Sequence, residues 1–262
     1  MKTERSIYRK VAKSEWDNSS LYKIGVDVGG TFTDLYGYDP KRKSVIVASS
    51  PSTPPHFIEG VMDVIHKADI DLTKVDYFIH GSTIATNVVV ERKYPSVAFI
   101  TTEGFRDLIE IGRYHREKLY DPYQQKPQPL VKRRYRFTVP ERIDRDGNII
   151  RELDEEAARG VAQKIKKLGI KNVAIGFINS YKEGKHERKM REILQEEIPG
   201  VSVSISSEVL PKIRCLGRFT ATILNAALKP VVGQYLERLE TCLLYTSPSP
   251  RDLSTSRMPS SA

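Results

Sequence analysis

Residues 24–34 carry the stretch of sequence that decides the fold, IGVDVGGTFTD. An apolar run ends at Gly29 and Gly30, and a second extended segment follows at once, which predicts two strands joined by a tight turn. Glycine permits such a turn and lets the backbone approach a ligand closely. Because successive N–H groups in a turn of this kind form a concave anion site, the stretch predicts a phosphate-binding loop.

Polar side chains flank the two glycines and would complete this loop. Thr31 and Thr33 supply hydroxyl groups at alternate positions, so we expect both on one side of the second strand. Asp27 and Asp34 would repel a phosphate unless a cation lies between them, and Mg²⁺ is commonly held by carboxylates through its water ligands. We predict that the glycines and threonines bind phosphate and that both aspartates bind Mg²⁺, with Asp27 also catalytic. An ordinary hairpin turn with capping threonines is the alternative interpretation.

A second polar group follows a strand predicted at residues 75–79. His80, Ser82 and Thr83 precede or begin a helix predicted at residues 83–92, and Asn87 lies one turn further along. Helix N-termini bind anions, which makes these side chains candidates for contact with phosphate or substrate. A purely structural role for His80 is the alternative. Arg113, further along the chain, could bind an acidic group or lie at the surface.

Strand and helix patterns alternate along most of the chain. Apolar spacing predicts strands at residues 23–28, 33–38, 44–49, 75–79, 97–101, 173–178 and 201–205. It predicts helices at residues 55–68, 83–92, 154–168, 184–197 and 216–240, the last interrupted near Pro230. Asp154 would cap the third of these helices, and Gly169 would end it. The turn formed by residues 144–147 predicts a hairpin between residues 137–143 and 148–152. The alternation between residues 70 and 210 predicts an α/β architecture with a largely parallel sheet.

Composition and pattern together predict five segments. We expect a flexible extension at residues 1–20, a phosphate-binding α/β domain at 21–136 and a second α/β unit at 137–210. Residues 211–245 would begin a further, truncated domain. Residues 246–262 are rich in Ser, Pro and Arg and nearly devoid of apolar residues, which predicts disorder. They are either a native tail or foreign sequence, and the abrupt change of composition favours the second.

The overall composition narrows the classes of function. The chain has 39% hydrophobic and 29% charged residues, which is typical of a globular protein. Its net charge of +9 is spread along the sequence, without a zinc finger, basic zipper or RNA-recognition motif, so we expect no nucleic-acid partner. No apolar run reaches the length of a membrane span, and we expect no membrane association. Two cysteines without metal-type spacing and no secretory segment favour the cytoplasm.

Seven stretches carry a resemblance to a known family. After IGVDVGGTFTD come HGSTIATNVVVERK (80–93), ITTEGFRDLIEIGR (100–113), LYDP (119–122), VPERIDRDG (139–147), FINSYKEGKHERKMREIL (177–194) and SSEVLPKIRCLGRFTATILNA (206–226). Together they resemble the N-terminal portion of the hydantoinase A / 5-oxoprolinase family. That family includes ATP-dependent N-methylhydantoinase and 5-oxoprolinase subunits and the β subunits of acetone and acetophenone carboxylases.

The resemblance implies a fold, an activity and partners. The first loop is similar to that of the actin, sugar kinase and Hsp70 superfamily, which implies a ribonuclease H-like fold. The family implies ATP and Mg²⁺ as cofactors, a hydantoinase B-type partner subunit or domain, and a site role for His80, which we expect to be catalytic. The implied activity is that of an ATP-dependent cyclic amide hydrolase, which phosphorylates the amide to drive ring opening.

Two other functions stay open at this point. One is the β subunit of an ATP-dependent ketone carboxylase, whose motifs are the same. The other is a non-catalytic nucleotide-binding fragment, because no second Asp-Gly-Gly loop follows residue 100. For the same reason we expect the chain by itself to be inactive.

Overall fold

The computed structural model describes residues 21–54, 56–113, 120, 121, 123 and 128–246. These residues form two units. The first contains the described residues up to Val90 together with those from Gln234 onward, and the second contains those between Glu91 and Gly233.

The first unit is built on a four-stranded sheet. Its elements are β1 (Tyr22–Val28), β2 (Phe32–Asp39), β3 (Ser44–Pro51), α1 (Phe57–Lys67), a 3₁₀ turn (Leu72–Lys74), β4 (Val75–Ser82) and α2 (Ile84–Val90). The strand order is β3-β2-β1-β4, with β1, β2 and β3 antiparallel and β4 parallel to β1. The strands predicted at residues 23–28, 33–38 and 44–49 are confirmed, and so is the tight glycine turn between the first two.

Alternation along the strands gives this sheet two different faces. Val26, Val28 and Leu35 point inward, where they pack with apolar residues of α1 such as Val61 and Val64. The opposite face is open to solvent and includes a set of large apolar side chains that are each more than half exposed: Phe32, Tyr36, Val45, Val47, Tyr77 and Ile79. Asp27 is exposed, as the alternation requires.

The second unit contains a parallel sheet and a short hairpin. Its strands are β5 (Val97–Thr102), β6 (Arg136–Val139), β7 (Arg142–Ile143), β8 (Ile149–Arg151), β9 (Asn172–Gly176) and β10 (Ser202–Ile205). Its helices are α3 (Leu108–Ile111), a 3₁₀ turn (Arg133–Tyr135), α4 (Glu155–Lys167), α5 (Lys185–Glu197), α6 (Ser206–Val209) and α7 (Cys215–Thr246), whose last residues belong to the first unit. The order β10-β9-β5-β6 is parallel throughout, and β7 pairs with β8.

Helix α4 shows how the sequence specifies this unit. The Asp154 side chain accepts a hydrogen bond from the Ala157 amide at 2.9 Å and caps the helix, as predicted. Val161 and Ile165 recur on one face and pack into the core of the sheet. Gly169, at a φ of 67°, ends the helix in the left-handed conformation that glycine adopts most readily.

The structure differs from the predictions in three places. The units separate after Val90 and not near residue 136, because β6 lies beside β5 in one sheet. The strand predicted at residues 137–143 is divided into β6 and β7, with Pro140 between them. Helix α7 continues through Pro230, although this residue cannot donate a helical hydrogen bond. Buried side chains on both sides of it, including Ile223 and Leu239, stabilise the continuous helix.

Other predictions fall outside the described part of the chain. These concern residues 1–20, the tail beyond residue 246, and most of the loop between residues 114 and 127. Among the described helices, none combines the length and hydropathy needed to cross a membrane.

Candidate phosphate site

The loop between β1 and β2 forms a tight turn at the carboxyl end of β1, in the first sheet. The Gly29 amide donates to the Phe32 carbonyl at 2.9 Å, and a Cβ at Gly29 would also lie 2.9 Å from that oxygen. Since the obstructing atom belongs to the backbone, position 29 requires glycine. Gly30 and Thr31 are exposed to solvent, so the centre of the loop is accessible to a ligand.

Ser52, one residue beyond β3, holds the loop in place. Its hydroxyl donates to the Gly29 carbonyl at 2.8 Å and lies 3.0 Å from the Thr33 hydroxyl. Its amide donates to the Thr31 carbonyl at 2.8 Å. Sequence reasoning missed Ser52, because its only signal is a position just past a strand that pairs with β2. The loop is therefore fixed by a neighbouring segment as well as by its own turn.

The two threonines lie in different environments. Thr31 is exposed in the turn that precedes β2, whereas Thr33 lies inside β2 with its side chain fully buried against Ser52. The predicted alternation does not place them on one side, because Thr31 is not part of the strand. Thr31 is thus placed to contact a ligand directly, and Thr33 supports the loop from beneath.

The two aspartates face each other across neighbouring strands. Asp27 of β1 and Asp34 of β2 are paired in register, which brings their Cβ atoms to about 5 Å. On the other side of Asp27 lies Gly81 of β4, where a Cβ would be 3.0 Å from the Asp27 Oδ1. Two opposed carboxylates repel one another unless a cation lies near them, and oxygen ligands of this kind suit Mg²⁺.

Only a partial protein ligand set for a metal is present. Within the described ranges, there is no group of three or more His, Cys, Asp or Glu side chains positioned to hold a metal ion. Asp27 and Asp34 fit a Mg²⁺ that keeps several waters and is bound together with a phosphate, which is how this ion usually binds.

The segment after β4 lies next to the glycine loop. The Thr83 amide donates to the Val28 carbonyl at 3.1 Å, and the Ser82 hydroxyl accepts from the Ile84 amide at 3.1 Å. A Cβ at Gly30 would lie 3.5 Å from the Asn87 Nδ2. The structure therefore brings Thr83 and Asn87 beside the loop, and their contact with phosphate or substrate stays a prediction.

His80 lies on the other face of the sheet from Asp27. It pairs in register with Val26, whose side chain is buried, whereas Asp27 pairs with Gly81. The His80 Nε2 is 3.0 Å from the Tyr235 hydroxyl, and their ring centroids are 5.5 Å apart. Desolvation lowers the pKa of His80, and burial raises the pKa of Tyr235 to about 12. Sequence analysis placed Tyr235 in a helix but gave no sign of this contact.

Arg113 belongs to the second unit. It is exposed just beyond α3, after Gly112. The described part of the first unit forms its loop and carboxylate pair without it.

A buried polar network occupies the carboxyl ends of the strands in the second unit. Glu187 is completely buried and accepts hydrogen bonds from the Phe177 amide (3.0 Å), the Ser180 hydroxyl (2.7 Å), the Ser206 hydroxyl (2.6 Å) and the Ser207 amide (2.8 Å). The hydrogen-bond demand of the Glu187 carboxylate is therefore met inside the protein. The network has the features of a structural device that joins β9, α5 and α6.

A second buried pair lies nearby. The His186 Nδ1 is 2.8 Å from the Glu141 Oε2, and the Thr102 hydroxyl donates to the other Glu141 oxygen. The hydrogen bond that the His186 Nδ1–H donates to Glu141 raises the pKa of His186, with Glu152 as a weaker contributor. Since both members are nearly inaccessible to solvent, this pair too holds elements together.

The fold and the site define a mixed α/β protein. A glycine-rich loop joins the two inner strands of its first sheet, and a pair of carboxylates lies on these strands. The chain belongs to the hydantoinase/oxoprolinase N-terminal region family, whose model matches residues 23–198. The family predicted from the sequence motifs is confirmed.

Similarity to individual proteins extends over most of the chain. It is 43% identical to an uncharacterized protein of Methanocaldococcus jannaschii, over 82% of this chain and 32% of the relative. It is 31% identical to the caprolactamase subunit alpha of Pseudomonas jessenii, over 84% of this chain and 33% of the relative. The nucleotide-free structure of an acetone carboxylase superposes with a TM-score of 0.77 at 25% identity, covering 86% of this chain and 35% of the other. This chain therefore spans about a third of the length of these relatives.

Proposed function

We propose that this chain is the phosphate-binding, N-terminal part of an ATP-dependent enzyme subunit that phosphorylates a cyclic amide and so drives ring opening. The accessible glycine loop beside an opposed pair of carboxylates carries the proposal. Similarity to a caprolactamase subunit, whose solved structure is described as ATP-dependent, supports a cyclic amide as the substrate class. A cytoplasmic location and a hydantoinase B-type partner belong to the same proposal.

Each residue of the site has a defined task in this proposal. The exposed backbone of Gly30 and Thr31 binds phosphate oxygens, and the Thr31 hydroxyl donates a further hydrogen bond. Thr33 and Ser52 keep the loop in its binding conformation. Asp27 and Asp34 would hold Mg²⁺, which neutralises phosphate charge when it is bound. Catalysis then depends on positioning and on electrostatic stabilisation of the transferred group.

Phosphorylation explains the requirement for ATP in chemical terms. Transfer of the γ-phosphoryl group to the amide oxygen, with ADP as the leaving group, removes the amide resonance and makes the carbonyl carbon more electrophilic. Water can then add to this carbon, the C–N bond breaks with the protonated ring nitrogen as the leaving amine, and the resulting acyl phosphate is hydrolysed to the carboxylate and inorganic phosphate. Residues beside the loop, Thr83 and Asn87, lie where they could orient the acceptor. The same activation would serve a ketone carboxylase through the enol oxygen, and the likeness to acetone carboxylase supports this as a second candidate.

The role of the carboxylates can be tested by measuring ATP binding to the chain with and without Mg²⁺. In Mg²⁺, Asp27→Asn should weaken ATP binding about tenfold, because a charged metal ligand is lost. In EDTA the same change should strengthen ATP binding, because it removes a negative charge that repels phosphate. Isothermal titration calorimetry measures both affinities, and adenosine without phosphates should respond to neither change.

Asp76→Asn is the matched control for this experiment. It makes the same charge change on an exposed residue of β4, five positions before Gly81. At about 3.3 Å per residue this is about 17 Å away, well beyond the Debye length of about 8 Å in physiological salt. If Asp27→Asn shifts affinity in the same direction in Mg²⁺ and EDTA, the metal-binding role is wrong. If ATP does not bind at all, the loop is an ordinary turn.

A further inference from the structure

The contact between His80 and Tyr235 connects the last helix to the strand that borders the phosphate site. Tyr235 lies in the part of α7 that belongs to the first unit, 155 residues beyond His80 in sequence. The two rings are tilted by 38° with their polar atoms 3.0 Å apart, which is a hydrogen-bond distance. The Phe78 ring also stacks with the imidazole, with 6.4 Å between ring centroids.

Protonation states decide which group donates. Tyr235, with a pKa raised to about 12, keeps its proton at neutral pH. The pKa of His80 is lowered, chiefly because burial disfavours the imidazolium, so the ring is neutral. A neutral imidazole has one N–H donor and one acceptor nitrogen. The Tyr235 hydroxyl can therefore donate to Nε2 if the proton of His80 is on Nδ1.

A count of unsatisfied groups favours that tautomer. With the proton on Nε2, the Tyr235 hydroxyl accepts from it, and among the described residues the Nδ1 lone pair has no donor and the hydroxyl proton has no acceptor. With the proton on Nδ1, the hydroxyl donates to Nε2 and only the Nδ1–H lacks a partner of normal geometry. The geometry therefore favours a proton on Nδ1, with Tyr235 as the donor to Nε2.

The location of His80 relates this tautomer to the site. His80 is followed by Gly81, where an added Cβ would lie 3.0 Å from the Asp27 Oδ1, and then by Thr83, whose amide donates to the Val28 carbonyl just before the glycine loop. A shift of His80 along or across the sheet would move these contacts. Because Asp27 and His80 lie on opposite faces, His80 reaches the site through the backbone and not through its ring.

We propose that Tyr235 is a positioning residue for the phosphate site. By donating to the His80 Nε2 it fixes the Nδ1–H tautomer and holds the end of β4 in register with β1. His80 is then a positioning residue as well, with its second nitrogen unavailable as a general base. The link to phosphate binding rests on the proposed function, whereas the tautomer and the backbone effect do not.

The first test is spectroscopic and needs no ligand. Long-range ¹H–¹⁵N NMR of the full chain reports the tautomer of each of its five histidines, and His80→Gln identifies the His80 signals. We expect His80 to be neutral and protonated on Nδ1. In Tyr235→Phe, which keeps the ring and loses only the hydroxyl, the Nε2 shift should move and the pKa of His80 should rise. An Nε2–H tautomer in the unmodified chain would overturn the proposal.

The second test follows the backbone. In Tyr235→Phe, hydrogen exchange at the Thr83 amide should be about fivefold faster, as expected for loss of one hydrogen bond. Tyr36→Phe removes a hydroxyl from the opposite face of the same sheet and should leave exchange at Thr83 unchanged. Unchanged exchange in Tyr235→Phe would refute a positioning role even if the tautomer is as expected.

The third test connects the pair to the ligand. Binding of Mg²⁺·ATP should be about fivefold weaker in Tyr235→Phe and unaffected in Tyr36→Phe. Equal affinity in Tyr235→Phe and the unmodified chain would refute the effect on the site. If the unmodified chain binds no ATP, the proposed function fails, but the spectroscopic and exchange results still decide whether Tyr235 positions β4.

Discussion

Glu187 offers a sharp test of how the second unit is held together. Its carboxylate is completely buried, and one oxygen accepts three hydrogen bonds while the other accepts one from the Ser207 amide. In Glu187→Gln the amide group fits the same space. If its NH₂ faces Ser207, two donors oppose each other and one hydrogen bond is lost. The free energy of unfolding should therefore fall by about 2 kcal/mol, the usual penalty for an unsatisfied buried group.

Truncation of the same side chain should be more severe. Glu187→Ala leaves the Phe177 and Ser207 amides without their partner, and each unsatisfied buried amide costs about 1–3 kcal/mol. We therefore expect a loss of about 3–5 kcal/mol, a large fraction of the stability of a typical domain. The buried Ser180 hydroxyl can turn to the Phe177 carbonyl, 2.9 Å away, which limits the loss.

Urea unfolding followed by circular dichroism measures these differences. Glu192→Gln, on the exposed side of the same helix, makes the same chemical change and should alter stability by less than about 0.5 kcal/mol. If Glu187→Gln is no less stable than Glu192→Gln, the network does not stabilise the unit and the reasoning from unsatisfied donors fails.

Three further predictions concern stability. Gly176→Ala should destabilise the fold by about 1–3 kcal/mol in thermal melts, because the added Cβ would meet the Phe219 ring; an unchanged melting temperature would contradict this. The raised pKa of His186 means that its pairing with Glu141 stabilises the fold fully below the ordinary pKa of histidine and less as the pH rises through the raised value. Urea midpoints measured across that range should show this loss in the unmodified chain but not in His186→Gln. Asp154→Ala should lower the free energy of unfolding by about 1 kcal/mol, because the helix cap is lost. Urea unfolding at neutral pH measures this change, and an unchanged free energy of unfolding would contradict the prediction.

Local patterns predicted much of this fold because they act over short distances. The glycine turn and the alternation of apolar residues in β1 are properties of neighbouring residues, and the predicted strands agree with the observed ones. The Asp154 cap and the left-handed Gly169 are equally local, and both were correctly placed.

Local sequence patterns could not predict contacts between segments that are distant in the sequence. Ser52 reaches Gly29 across 23 residues, and Tyr235 reaches His80 across 155. Neither residue type is distinctive at its position, so nothing local marks the partner. The division after Val90 was missed for the same reason, because it depends on which strands become neighbours and not on where strands begin.

The support that Ser52 gives to the glycine loop has a consequence for the thermodynamics of binding. A loop that is hydrogen-bonded at Gly29 and at Thr31 has lost its conformational freedom during folding. A phosphate that arrives later does not have to order it, so the entropic cost of binding is reduced. In Ser52→Ala the loop would be less ordered before the ligand binds, so binding itself would have to order it. Calorimetry would then show a less favourable binding entropy, although the groups that touch the ligand remain the same.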